Sequence, residues 1–156
     1  SYDGKLINVS TAEEMYNETI LYFKNSDIFI SAAAISDFKP KSVDTHKIKK
    51  EKKLSQIKLE PTKDILLEVS KIKNNQIVIG FAIETDNEYE NAKTKLKQKK
   101  LDAIVLNSLK DKLSGFCFDT NKISYIKKNG SVKKFNLKSK KDVAKDIFNE
   151  IIKINE

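Results

Sequence analysis

At 156 residues the chain is long enough to bury a continuous core within one domain, and 39% hydrophobic with 33% charged residues is the composition of a soluble globular protein. The longest apolar runs, such as Ile77 to Ile83, fall far short of a bilayer span, no signal-peptide pattern opens the chain, and the single cysteine, Cys117, excludes an internal disulfide framework and fits a reducing cytoplasm. The formal charge of +8 rests on lysine alone, with no arginine, so it points to an anionic ligand more than to base readout in nucleic acid.

The first residue is serine and the only methionine is Met15, the pattern expected of a processed chain or an excised piece. Lys5 to Val9 then reads as a short strand. A helix follows, with Ser10 or Thr11 as cap, Glu13 or Glu14 closing a capping box, and Ala12, Met15, Tyr16, Thr19, Ile20 and Phe23 at helical spacing. Asp27 to Ala34 is a continuous apolar run, expected as a strand buried on both faces. Pro40 then forces an extended or turn conformation at Lys39.

Residues 46 to 60 alternate between lysines and Ile48, Leu54, Ile57 and Leu59, which predicts two short strands joined by a polar turn. Thr62 to Lys73 is a helix with Thr62 as its cap. Gln76 to Ile83 is a second buried strand, Asn87 to Lys100 a charged helix, and Asp102 to Asn107 a third buried strand. Asn129-Gly130 between two alternating runs marks a hairpin. Ser139 caps a final amphipathic helix whose stripe is Val143, Ile147, Ile151 and Ile154. The alternation of strands and helices predicts an α/β fold with a mostly parallel central sheet, and no repeat or linker divides it. Ligands of such sheets sit beyond the carboxyl ends of the strands, which gathers "SAAAISD", "GFAIETD" and "VLNS" around one crevice.

The residues alone leave the chemistry open. No glycine-rich phosphate loop, zinc spacing or Ser/His/Asp motif is present. Cys117 lacks a plausible base, since the sole histidine is His46. Lys95 and Lys99 share one helix face, which by spacing alone reads as solvated. Asp37 at the end of a buried strand suits a metal ion or a ribose hydroxyl, and by residue type alone it reads as a turn or capping aspartate. Phe81 by itself reads as core. Five of the seven residues from Lys47 to Lys53 are lysine, and that run leaves from the edge of the same crevice.

The order of segments is more specific. "SAAAISDFKP", "KIKK", "LEPTKDIL", "GFAIETDN" and "AKTKLKQKKLDAIVLN" together resemble the carboxyl-terminal part of bacterial phosphopantothenate–cysteine ligase, over nearly the whole chain. The resemblance implies a Rossmann-like three-layer domain, with a β dimerisation arm at about 46–60 and a terminal hairpin plus helix. It implies a single ligase domain over 1–156 that lacks the family's glycine-rich amino-terminal segment, and hence an isolated chain inactive as a ligase. The implied reaction joins 4′-phosphopantothenate to L-cysteine through an acyl-cytidylate made from CTP, with Mg²⁺. The site is shared across a homodimer; a flavin-dependent decarboxylase is often fused upstream, and no flavin belongs to this part.

By the same resemblance Lys47 serves phosphate charge and acyl transfer. Ser31, Ala32, Ala33, Asp37, Thr62, Lys63, Asp64, Ile65, Phe81, Lys95 and Lys99 line the nucleotide, and Asp37 is the Mg²⁺ candidate. Lys49 and Lys50 either assist or face solvent, while Lys52 and Lys53 are ordinary turn charges. Departures from the family pattern are Ser36 before Asp37 and Ile83 where alanine is usual. The alternative is a non-catalytic basic module for nucleic-acid binding or dimerisation; neither nucleic acid nor membrane is expected as a partner of the ligase.

Overall fold

Parallel pairing of three apolar runs sets the frame in the computed structural model, which describes residues 4–47, 56–108, 114 and 118–154. Strands β1 (Ile28–Ser31), β4 (Ile77–Glu84) and β5 (Ala103–Ser108) pair in parallel, and β7 (Ile123–Lys127) and β8 (Val132–Lys134) extend them antiparallel in the order β1-β4-β5-β7-β8. Between them in the chain come α1 (Ala12–Phe23), β2 (Phe38–Pro40), β3 (Leu59–Pro61), α2 (Ile65–Ile72), α3 (Glu88–Gln98) and β6 (Thr120–Asn121); β9 (Lys138–Ser139) and α4 (Lys140–Ile152) close it.

Alternation along the strands divides the core in two. Val78, Ala82, Ile104, Leu106 and Ile126 pack under α1, α2 and α3, through Phe23, Leu66, Val69, Ala92 and Leu96. Ile77, Ile79, Val105, Ile123 and Tyr125 face the other way onto Val143, Ile147 and Ile151 of α4. This is the expected three-layer α/β arrangement. Gly80 allows α2 to approach: a Cβ there would lie 2.8 Å from Leu101 Cδ1 and 3.0 Å from Leu66 Cδ2.

Several boundaries have clear local causes. Thr11, not Ser10, caps α1: its hydroxyl accepts from the Glu14 amide at 3.1 Å, and the Glu14 carboxylate accepts in return from the Thr11 amide. Ser139 caps α4 by accepting from the Asp142 amide. The Asn129-Gly130 hairpin forms as expected, with Gly130 at φ 85°. At the same end of the sheet the Asp102 carboxylate accepts from the Val78 amide at 2.7 Å and pairs with Lys73.

Three expectations are corrected. Lys5 to Val9 is not a strand; it pairs with no described strand, and Leu6 stays 75% exposed. The run from Asp27 is a strand only over Ile28–Ser31, and it is half-buried because β4 is its sole described neighbour. The expected hairpin over 46–60 lies mostly outside the described residues, which omit 48–55, Ile48 and the lysines from 49 to 53 among them; in its described part Leu59–Pro61 pairs antiparallel with Phe38–Pro40. Finally, α2 starts at Ile65 with Asp64 as its cap, its carboxylate accepting from the Leu67 amide, while the Thr62 hydroxyl donates to the carbonyl of Ser36.

Candidate functional site

The carboxyl ends of β1 and β4, the start of α2 and one face of α3 enclose a cleft of about 280 Å³. That is just under the roughly 300 Å³ at which small-molecule pockets usually begin. Its first wall is the segment leaving β1, from Ser31 to Asp37. Alanine at 32, 33 and 34 leaves that backbone uncovered, so a ligand can lie close against it. Thr62 fixes this wall to the next: its hydroxyl donates to the Ser36 carbonyl at 2.6 Å and its amide to the Asp37 carbonyl at 2.9 Å.

The second wall is the start of α2. Asp64 accepts from the Leu67 amide through one carboxylate oxygen at 3.0 Å and faces the Lys99 ammonium at 2.7 Å through the other. Burial pushes the Asp64 carboxyl up, but the Lys99 hydrogen bond and the Leu67 amide outweigh it, and the group ends below the usual carboxylate range. Lys63, exposed, stands 4.1 Å over the Tyr16 ring, a cation–π contact that holds it beside the cleft.

Lys95 and Lys99 supply the positive charge. Lys95 donates to the Phe81 carbonyl at 2.8 Å and is half-buried. Burial lowers its ammonium below the ordinary lysine value, Lys99 lowers it further, and Glu84, Asp64 and Asp37 pull the other way. A cation held in this condition gains from an incoming anion. Spacing alone makes the pair a solvated face; instead it points into the cleft. Asp37 is exposed on the rim, and its carboxylate has no hydrogen-bond or ion-pair partner among the described residues. Those residues also hold no cluster of three metal-ligating groups.

One cleft therefore gathers Ser31, Ala32, Ala33, Asp37, Thr62, Lys63, Asp64, Ile65, Phe81, Lys95 and Lys99. Phe81 takes part with its carbonyl, while its ring packs against the cluster under α4. Lys47 is exposed and outside this lining. Ala34, Ile35 and Leu66 also line the cleft without having been named as site residues, as do Ser36 and Ile83, named only as departures from the family pattern; contiguity with the named segments is the available signal.

Beside the cleft, β2 and β3 form a ribbon with two unlike faces. Lys39 lies opposite Glu60 and binds Glu13 of α1 at 3.1 Å, which pins one face to the domain. Phe38 and Leu59, on the other face, are 59% and 58% exposed.

The profile of the DNA/pantothenate metabolism flavoprotein C-terminal domain family matches residues 2–154. The chain is 46% identical over 153 residues, 97% of its length, to a cysteine/cysteine sulfinic acid decarboxylase from an unknown prokaryotic organism, and covers 43% of that protein. It is 38% identical over 153 residues to the coenzyme A biosynthesis bifunctional protein CoaBC of Bacillus subtilis, covering 98% of this chain and 38% of that one. The crystal structure of the C-terminal domain of a coenzyme A biosynthesis bifunctional protein CoaBC superposes with a TM-score of 0.75 at 33% identity, over 93% of this chain and 63% of that one. The chain thus spans about two fifths of the length of these curated relatives.

Proposed function

The chain belongs to the DNA/pantothenate metabolism flavoprotein C-terminal domain family, and from that premise we propose that it forms the CTP-binding and dimerisation part of a ligase joining 4′-phosphopantothenate to L-cysteine. The observation that carries this reading is the convergence of the Ser31–Ala33 backbone, Asp37, Thr62–Ile65, Lys95 and Lys99 on one cleft. Similarity to coenzyme A biosynthesis proteins gives the reaction its context.

The carboxylate of phosphopantothenate attacks the α-phosphorus of CTP and pyrophosphate leaves. The cysteine amine then attacks the acyl carbon, loses a proton, and CMP departs. Such chemistry needs preorganised positive charge where phosphate charge develops. Lys95 and Lys99 supply it, and the uncovered Ser31–Ala33 backbone takes the nucleotide against it. Where Mg²⁺ accompanies the triphosphate it neutralises phosphate charge. Asp37 would hold it together with ligand oxygens, as Mg²⁺ is commonly bound through one or two carboxylates and phosphates.

Lys47 acts in this reading from across a homodimer, since it stands outside its own chain's cleft. The apolar face of the β2–β3 ribbon supports such a pairing: Phe38, Leu59 and Ile57 are 59%, 58% and 71% exposed, more apolar surface than a solvated ribbon needs.

Calorimetric titration with CTP tests the reading. Lys95→Ala and Lys99→Ala are each expected to weaken binding by about 1 kcal/mol or more, the worth of a charge-assisted contact. Equal affinity of wild type and both variants would reject it. The relative named as a decarboxylase favours a second reading, in which the same cleft belongs to a protein acting on cysteine or cysteine sulfinate. Release of CO₂ from either amino acid without any nucleotide, by a protein containing this chain, would favour that one.

A further inference from the structure

Two ammonium groups of α3 stand in the cleft one helical turn apart, and their partners are unlike. Lys99 faces the Asp64 carboxylate at 2.7 Å. Lys95 touches no carboxylate among the described residues; its one hydrogen bond goes to the Phe81 carbonyl at 2.8 Å. A carbonyl accepts from a neutral amine as well as from an ammonium, so that bond does not require the charge. The Lys95 side chain is half-buried, and residues four apart on a helix have their Cβ atoms about 5–6 Å from each other, so Lys99 stands beside it as a like charge. Desolvation and an adjacent cation are the conditions that turn a lysine amine into a nucleophile. Four elements bear on its proton: burial and Lys99 of α3 favour the amine, while Glu84 of β4, Asp64 before α2 and Asp37 after β1 favour the ammonium. Burial and Lys99 prevail.

The cleft also has room and charge for a phosphate beside that amine. It encloses about 280 Å³. An ammonium carries three N–H donors, and Lys99 uses one of them on Asp64. A small molecule with a phosphate at one end can therefore set that end against Lys99 and reach Lys95 with the other.

We propose that Lys95 is a covalent acylation site for acyl phosphates, the mixed anhydrides of a carboxylic acid and phosphoric acid. The Nζ lone pair attacks the acyl carbon and a C–N bond forms. The C–O bond to phosphate breaks, inorganic phosphate leaves with the electron pair, and the proton left on nitrogen passes to water. The product is an uncharged amide, which removes one positive charge from the cleft. The inference rests on phosphate binding in the cleft, as the proposed function does, but not on the ligase reaction.

Treating the chain with acetyl phosphate and following each lysine by peptide mass spectrometry tests the site, with the exposed Lys128 and Lys141 as references. Lys95 is expected to acetylate about tenfold faster than either, the worth of one charge-assisted contact to the donor's phosphate. Excess inorganic phosphate is expected to slow Lys95 and not the references, because it occupies the cleft and favours the ammonium. Lys99→Gln is expected to slow Lys95 about tenfold. Acetic anhydride carries no phosphate, so the lead of Lys95 should shrink with it. The proposal is overturned if Lys95 reacts no faster than Lys128 and Lys141. It is equally overturned if the lead persists in excess phosphate or in Lys99→Gln, or is as large with acetic anhydride. Should CTP bind in calorimetry while Lys95 shows no lead, this inference falls and the reading of the cleft stands.

Discussion

Asp64 carries two loads at once, and two substitutions separate them. One oxygen caps α2 at the Leu67 amide, and the other faces Lys99 at 2.7 Å. Losing an N-cap to alanine costs about 1 kcal/mol, and asparagine caps nearly as well as aspartate. The ion pair is worth less than about 1 kcal/mol, because the two side chains are 40% and 24% exposed and solvent screens them. Asp64→Ala is therefore expected to destabilise the domain by about 1–2 kcal/mol and Asp64→Asn by clearly less. At a urea slope of about 2 kcal/mol per molar the alanine variant moves the midpoint by roughly 0.5–1 M. The folded carboxyl lies below its ordinary pKa of 3.8, so its stabilisation is present above that value and fades as pH falls through the folded pKa. Asp64→Asn also removes a negative charge that competes for Lys99, so CTP binding should hold or tighten in it. Equal urea midpoints for the two variants would show that the cap contributes nothing, and much weaker CTP binding in Asp64→Asn would show that the carboxylate holds Lys99 in place for the ligand.

Gly80→Ala should cost about 1–3 kcal/mol by overpacking, since the new methyl meets Leu101 and Leu66 at 3.0 Å or less; an unchanged melting temperature contradicts that contact. Glu150, whose side chain is 4% exposed and lies 2.7 Å from Lys133 and 3.1 Å from Lys153, is held at about 2 rather than 4.5, mainly by the Lys133 hydrogen bond against the cost of burial. Its stabilisation is complete above 4.5 and lost as pH falls toward 2; the shift corresponds to about 3 kcal/mol, reduced to roughly 1–2 because both ammoniums are half-exposed. Glu150→Gln should flatten the acid limb of a stability-against-pH curve, and an identical limb counts against the assignment. Tyr125→Phe should be neutral or stabilising, because the buried hydroxyl has no hydrogen-bond partner among the described residues and burial drives its pKa well above the ordinary 10.0; a loss beyond about 1 kcal/mol in urea denaturation would mean that the hydroxyl is satisfied after all.

Features written in short-range chemistry were legible in the sequence. The Thr11–Glu14 box, the Asn129-Gly130 turn, the apolar β4 and β5, and the stripe of α4 each need only their own neighbours to form. Features decided by a distant partner were not. Thr62 and Asp64 are both good cap residues; Asp64 takes the cap, and the Thr62 hydroxyl bonds instead to the carbonyl of Ser36, 26 residues away. Alternation in residues 56–60 promised a strand but could not reveal that its partner is Phe38–Pro40. The apolar run at 28–31 has the composition of a central strand, and its place at the margin of the sheet is a matter of strand order. The pairs of β6 and β9 are two residues long and leave no periodicity to read. For the cleft, the lysine spacing gave one shared helix face; what that face opposes follows only from the turn of α3 against β4.

Among the described residues, the strand that carries the first wall of the cleft is bonded along one side only, to β4. Strands held by a single ladder open locally at a lower free-energy cost than those bonded on both sides. Amide hydrogens of Ile28 to Ser31 should accordingly exchange with solvent sooner than those of Ile77 to Ala82. A ligand seated against Ser31 to Ala33 would slow that exchange, so occupancy of the cleft can be followed through the protection of its least anchored wall.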